Sequence, residues 1–149
     1  MNKQKLVIIG GGGMVGATAA YACALRSVVE EIVLIDRNAD LVWGQAADIN
    51  DAMGLDRNVE VRAGDYSDIA TDDIVVITAG APQQPGQTRL ELVGVNANIM
   101  RDIVKNIMAG GAKPYLVIVS NPVDVLTYVA LKESGLPKTR VFGTGTTLD

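Results

Sequence analysis

The sequence predicts an α/β fold with a doubly wound parallel sheet of six strands, covered by helices on both faces. The first observation behind this prediction is that short apolar segments alternate along the chain with longer segments of helical periodicity. The second is that the apolar segments are continuous, as in strands buried on both faces. The third is the length of 149 residues, which suits one domain with one core.

The amino-terminal part of the chain contains three predicted strands and two predicted helices. The strands are the apolar segments 5–9, 31–35 and 59–63. The first helix covers residues 14–26, where alanine is frequent and Gly16 is the only helix breaker. Asn38 can cap the second helix, which extends to about Met53.

The carboxy-terminal part repeats this order, with predicted strands at 74–79, 115–119 and 140–142. A long helix is predicted between the first two of these strands, because apolar residues recur there at spacings of three and four: Leu90, Val93, Ala97, Met100, Val104 and Ile107. A further helix follows Pro122 and ends at Gly135, which can adopt the left-handed C-cap conformation while Leu136 covers it.

Composition and charge exclude several classes of function. The net charge of -4 argues against a nucleic-acid partner, because binding phosphates requires a basic surface. The longest uncharged apolar stretch, residues 17–25, is far shorter than the about 20 residues of a membrane helix, and residues 1–9 are too weakly apolar for a secretory signal. The single cysteine, Cys23, cannot form an internal disulfide. We therefore expect a cytoplasmic protein that binds a small molecule and no metal.

A glycine motif lies between the first strand and the first helix. Gly11, Gly13 and Gly16 have the spacing G-x-G-x-x-G, in which the first allows a tight turn, the second admits a pyrophosphate and the third brings helix and sheet together. The helix begins at Met14 and Val15, so its free N–H groups would face the phosphates. Because four glycines are consecutive here, a merely flexible loop is the alternative.

An aspartate at the end of the second strand identifies the dinucleotide. Asp36 lies 20 residues beyond Gly16, where a carboxylate accepts both hydroxyls of the adenine ribose and repels the 2′-phosphate of NADP. The cofactor predicted is therefore NAD. The neighbouring Arg37 is a candidate cofactor contact that leaves NADP open. A P-loop is excluded because no Gly-Lys-Ser or Gly-Lys-Thr occurs.

Five further segments identify a family more specifically than the glycines do. They are Thr78-Ala79-Gly80, Pro85-Gly-Gln-Thr-Arg89, Asn96, Ser120-Asn-Pro-Val-Asp124 and Gly143-Thr-Gly-Thr-Thr-Leu-Asp149. In this order and spacing they resemble the amino-terminal domain of the L-lactate and malate dehydrogenase family. The resemblance implies a Rossmann domain over residues 1–149 that binds NAD, within a homotetrameric enzyme that transfers hydride between NADH and a 2-oxo acid. It also implies cofactor contacts from Thr78, Ala79, Gly80, Asn96, Val119 and Asn121.

The same resemblance implies a substrate site in the loop 80–89. Arg89 resembles the residue that polarises the reacting carbonyl when the loop closes. Gln83 resembles the residue that meets the variable end of the substrate, where malate dehydrogenases carry arginine. A neutral residue there favours pyruvate and lactate, while a branched 2-hydroxy acid and malate stay open as alternative substrates. Gln84 is adjacent, so an alignment shifted by one residue is the alternative.

Two more residues complete the site that the resemblance implies. Asn121 would hydrogen-bond the substrate and the nicotinamide ribose, and its peptide bond to Pro122 is cis in the family. Asp149 resembles the carboxylate that orients the catalytic histidine, and the chain contains no histidine. The second, catalytic domain is expected beyond Asp149. We therefore expect these 149 residues alone to bind NAD without turnover.

Two other classes of function remain open at this stage. A non-enzymatic dinucleotide sensor would need the glycines and Asp36 but would have no use for Gln83, Arg89 and Asp149 together. A methyltransferase also places a glycine-rich turn and an acidic residue at corresponding positions. Binding of NADH or of S-adenosylmethionine distinguishes these classes.

Overall fold

The computed structural model describes residues 5–54 and 59–145. The sheet strands are β1 (Lys5–Ile9), β2 (Glu31–Ile35), β3 (Glu60–Ala63), β4 (Ile74–Ile77), β5 (Tyr115–Ile118) and β6 (Val141–Gly143). The α-helices are α1 (Met14–Leu25), α2 (Ala39–Met53), α3 (Arg89–Ala109) and α4 (Val123–Ser134). Strands and helices alternate as predicted.

The six strands form one parallel sheet in the order β3-β2-β1-β4-β5-β6. The chain starts in the middle, moves to one edge, and returns to build the other half, which confirms the doubly wound fold. The register aligns Ile9 with Ile35 on one side and with Ile77 on the other, and Ile77 with Ile118. These four strands therefore end level, and the order reverses between β1 and β4, where such sheets bind ligands.

Each face of the sheet has its own hydrophobic core. Val7 and Ile9 of β1 belong to the core under α3 and α4, whereas Leu6 and Ile8 belong to the core under α1 and α2. Successive side chains of a strand point to opposite faces, so a strand in the centre of a covered sheet must be apolar at every position. This requirement explains the continuous apolar segments in the sequence.

Differences from the predicted elements lie at their ends and in the connections between them. Strand β4 stops at Ile77 instead of residue 79, and two short 3₁₀-helices, Tyr66–Asp68 and Lys138–Arg140, were not predicted. Gly135 has φ 64° and Leu136 is buried beside it, so the predicted helix end is confirmed. Among the described residues, no helix is long and apolar enough to cross a membrane.

A charged network joins β2, β3 and the 3₁₀-helix Tyr66–Asp68. Arg62 donates from Nε to Glu31 Oε1 at 2.9 Å and from Nη2 to Asp68 Oδ1 at 2.8 Å. The other oxygen of Asp68 accepts the backbone N–H of Asp65 at 2.9 Å. The hydrogen bond from Arg62 holds the pKa of the Asp68 carboxyl below its usual value, and the N–H of Asp65 lowers it further against the effect of burial.

We expect Asp68→Asn to lower the free energy of unfolding by about 1 kcal/mol at pH 7, a value reduced for partial exposure. Because the pKa is depressed in the folded state, this stabilisation is complete above the pKa of the unfolded carboxyl, about 4. It is lost as the pH falls through the folded pKa. Urea unfolding of both proteins at pH 7 and pH 3 should show the difference shrinking at pH 3. Asp51→Asn, at an exposed position of α2, is the matched control. An equal difference at both pH values would contradict this assignment.

Candidate functional site

The glycine turn follows β1 at the point where the strand order reverses. The N–H groups of Gly10 and Gly11 both donate to the carbonyl of Ile35, at 2.8 and 3.1 Å. Within this turn the left-handed conformation falls on Gly10, with φ 90°, a residue outside the predicted motif. Gly11 is required for a different reason, since a Cβ there would lie 2.8 Å from Cβ of Leu34 in the neighbouring strand.

Gly16 allows helix α1 to lie directly against this turn, as predicted. A Cβ at Gly16 would lie 2.9 Å from Thr78 Oγ1 and closer still to the carbonyl oxygen of Gly10. Thr78 Oγ1 itself donates to the carbonyl oxygens of Ile9 at 3.0 Å and of Gly10 at 3.3 Å. Thr78, the residue that follows β4, therefore supports the turn.

The amino terminus of α1 fits an anionic ligand. Gly13 is its N-cap residue and has no side chain to bond the first N–H groups, and the first turn carries no acidic residue. The N–H groups of a first helical turn have no partner within the helix and carry a partial positive charge. Met14 is 88% exposed and Val15 59% exposed, so the chain leaves this end open. The residues present therefore fit the pyrophosphate of a dinucleotide.

Asp36 lies beside the turn, directly after β2. Its Oδ2 accepts the N–H of Gly12 at 3.2 Å, and its Oδ1 lies 3.4 Å from the N–H of Asn38. Asn38 caps α2 through the N–H of Leu41, as predicted. Burial raises the pKa of the Tyr66 hydroxyl, and the negative charge of Asp36 raises it further. Arg37 is exposed and follows this carboxylate in the chain.

The loop 80–88 is held by its own glutamines. Gln83 Nε2 donates to the carbonyl of Gln87 at 2.9 Å, and the N–H of Gln84 donates to Gln87 Oε1 at 3.1 Å. The N–H of Gln87 donates to the carbonyl of Gln84 at 3.0 Å, which closes a turn. Gly86 lies within this turn and has φ 81°. Gln83 and Gln84 are both exposed.

Helix α3 begins at Arg89 with a capping box. Thr88 Oγ1 accepts the N–H of Glu91 at 3.2 Å, and Glu91 Oε2 accepts the N–H of Thr88 at 2.8 Å. The spacing Thr-x-x-Glu was available in the sequence and predicts this start, one residue earlier than the apolar stripe does. The N–H of Thr88 lowers the pKa of the Glu91 carboxyl, and Thr88 Oγ1, which donates to Glu91 Oε2 at 2.8 Å, lowers it further. Arg89 is exposed and occupies the first helical position.

Two buried polar side chains connect the segments after β4 and β5. Asn96 Oδ1 accepts the N–H of Ala81 at 2.8 Å, and Asn96 Nδ2 donates to the carbonyl of Asn121 at 3.3 Å. Ser120 Oγ donates to the carbonyl of Ala79 at 2.7 Å. The sequence motifs included Ser120 without a role for it, since only the sheet order shows that the two segments are neighbours.

The structure thus brings most of the predicted residues to one edge of the sheet. The glycine turn, Asp36, Thr78 and the segment 119–121 all follow the level ends of β1, β2, β4 and β5. The peptide bond between Asn121 and Pro122 is cis, and Asn121 is exposed. Asp149 lies outside the described residues.

Comparison with known proteins identifies the family. The family model for the lactate/malate dehydrogenase NAD-binding domain matches residues 4–143. The L-lactate dehydrogenase 2 of Lactococcus lactis is 51% identical over 150 residues, covering 100% of this chain and 48% of that protein. The chain thus spans about half the length of the curated relatives it matches.

Solved structures agree with this match. The minor L-lactate dehydrogenase of Enterococcus mundtii, in its ligands-bound form, superposes with a TM-score of 0.94 at 48% identity, over 99% of this chain and 47% of that one. Malate dehydrogenase of Archaeoglobus fulgidus in complex with NADH gives 0.88 at 43% identity, over 95% and 49%. The cofactor of this domain is therefore NAD. The chain belongs to the lactate/malate dehydrogenase family, of which it carries the NAD-binding Rossmann domain.

Proposed function

We propose that residues 1–149 are the NAD-binding domain of an L-lactate dehydrogenase, which interconverts pyruvate and lactate. The observation that carries this proposal is the uncapped amino terminus of α1 beside Asp36, at the edge where Thr78 and Asn121 also lie. About 50% identity to proteins named L-lactate dehydrogenase supports the choice of lactate. Cytoplasmic location and a homotetrameric full-length protein belong to the same proposal.

The described residues divide the binding of the dinucleotide between them. The N–H groups of Met14 and Val15 would hold the pyrophosphate beside Gly13, whose own N–H donates to the carbonyl of Gly10 at 3.1 Å, and Asp36 would exchange its bond to Gly12 for the hydroxyls of the adenine ribose. Thr78, Ala79, Gly80 and Val119 would line the nicotinamide half, with Arg37 flanking the adenosine. When bound, NAD supplies the nicotinamide ring that accepts or gives the hydride.

Arg89 is the proposed residue that acts on the reacting carbonyl of the substrate. It lies seven residues before Asn96 on α3, which puts both on the same side of the helix. Asn96 reaches the segments at Ala81 and Asn121, so this side of α3 faces the candidate site. A guanidinium brought here by closure of the loop 80–88 would stabilise the negative charge that develops on the reacting oxygen. Asn121 would hydrogen-bond the same substrate.

Gln83 is the proposed specificity residue. A neutral amide leaves a second substrate carboxylate without a cationic partner, which disfavours malate and suits pyruvate. The bond from its Nε2 to the carbonyl of Gln87 would have to open for the side chain to meet a substrate. A neutral residue at this position also suits branched 2-hydroxy acids, which are the alternative substrate class. Asp149 would orient a histidine, and the chain contains none.

The proposal predicts that the 149-residue chain binds NADH and does not turn over. Without histidine, it has no side chain whose usual pKa suits proton exchange near neutral pH. Nicotinamide fluorescence should report binding of NADH, calorimetry should detect none of S-adenosylmethionine, and absorbance should detect no lactate-dependent NADH formation. The purified chain's intact mass is the control for its length. Lactate-dependent NADH formation at the confirmed mass would refute the predicted inactivity, and failure to bind NADH would refute the cofactor site.

A further inference from the structure

Asn96 uses both ends of its amide within the protein. The residue is only 5% exposed, its Oδ1 accepts from Ala81, and its Nδ2 donates to Asn121. The two partners lie in different loops, one after β4 and one after β5, and both partner atoms belong to the backbone. Both ends of this buried amide are thus engaged by the backbone, which fixes the orientation of the side chain. These bonds within the protein differ from the direct contact between Asn96 and the cofactor that the resemblance implies.

The two loops that Asn96 joins serve the nicotinamide half of the proposed site. The adenosine half is built from the glycine turn and Asp36, neither of which Asn96 contacts through a hydrogen bond. A Cβ on Gly80 would lie 3.5 Å from Asn96 Oδ1, so Asn96 also packs against the residue that begins the loop. The side chain therefore has close contact with one half of the candidate cleft.

We propose that Asn96 is a positioning residue, which holds the loops at Ala81 and Asn121 in register for the nicotinamide and the substrate. The inference rests on the proposed function. Loss of these hydrogen bonds would leave the backbone N–H of Ala81 and the carbonyl of Asn121 without their partner. Because an unpaired buried polar group is costly, each would shift to bond water or another group. The loops would separate while the glycine turn keeps its geometry.

The experiment compares NADH with ADP-ribose, which lacks the nicotinamide. In the 149-residue chain, Asn96→Leu should weaken the binding of NADH by about tenfold, which is equivalent to the loss of one or two hydrogen bonds. It should weaken the binding of ADP-ribose by less than about twofold. A general loss of structure would weaken both ligands equally. Asn98→Leu is the matched control, because Asn98 is exposed on the same helix and its Oδ1 accepts from Arg101 at 2.7 Å, away from both loops. It should change neither affinity.

Hydrogen exchange tests the positioning without any cofactor. The amide of Ala81 should exchange faster in Asn96→Leu than in the unmodified chain, while the amide of Gly10 should not change. Asn96→Asp, which retains the acceptor, should keep the Ala81 amide slow and still weaken NADH, because the donor to Asn121 is lost. This variant decides the matter if Asn96→Leu does not fold.

The outcomes separate the two proposals. If the unmodified chain does not bind NADH, the proposed function fails, while the exchange of Ala81 still decides what Asn96 does. Unchanged exchange at Ala81 in Asn96→Leu, or equal loss of NADH and ADP-ribose affinity, would overturn the positioning role.

Discussion

Gly16→Ala is expected to abolish detectable NADH binding and to lower the free energy of unfolding by about 3 kcal/mol, the range of a severe overpacking change. The added Cβ would lie 2.9 Å from Thr78 Oγ1 and nearer to the carbonyl oxygen of Gly10. Both atoms are held by the sheet, since Thr78 bonds Ile9 and Gly10. Helix α1 would therefore have to move, which displaces the N–H groups that face the phosphates. Fluorescence titration and urea unfolding measure the two effects.

The matched control is Gly94→Ala, in the middle of α3. A Cβ at Gly94 meets no atom within 4 Å, so the substitution adds helix propensity without a clash. It should raise the free energy of unfolding by about 0.5–1 kcal/mol. If Gly16→Ala were as stable and bound NADH as tightly as the unmodified chain, the close approach of α1 to the turn would be wrong.

Asp36→Ser should remove most of the preference for NADH over NADPH. The carboxylate is proposed to accept hydrogen bonds from the ribose hydroxyls and to repel a 2′-phosphate. Its loss should therefore weaken the binding of NADH and strengthen the binding of NADPH. We expect a preference of about a hundredfold to fall below about tenfold, a change of more than 1.4 kcal/mol. Parallel titrations of the two nucleotides measure it, and Arg37 would then be free of the neighbouring negative charge.

Asp40→Ser controls for the change in net charge. Asp40 is exposed in the first turn of α2, close in sequence to Asp36 and outside the proposed site. It should leave the ratio of the two affinities unchanged. If Asp36→Ser still bound NADH and the ratio of the NADH and NADPH affinities were unchanged, Asp36 would not be the residue that distinguishes the two nucleotides. Arg37 would then be the candidate.

Local residue patterns were sufficient to predict the fold and the cofactor. A strand in a doubly covered sheet must be apolar throughout, so Lys5–Ile9 and Ile74–Ile77 were recognisable without their neighbours. The glycines and Asp36 were recognisable because a phosphate and a ribose impose residue types at set spacings along a single βαβ unit. The exception is instructive, since the left-handed residue is Gly10, and four consecutive glycines do not specify which one turns.

The sequence by itself therefore determined the order of the elements, the glycine turn and Asp36 as the candidate dinucleotide site, and the identity of the dinucleotide. Only the tertiary structure decided that Asn96 bonds two loops and that Ser120 bonds the segment at Ala79. The reason is physical: capping, periodicity and glycine turns act between residues a few positions apart. The hydrogen bonds of Asn96 and Ser120 join each side chain to backbone atoms of segments that become neighbours only when the sheet has assembled.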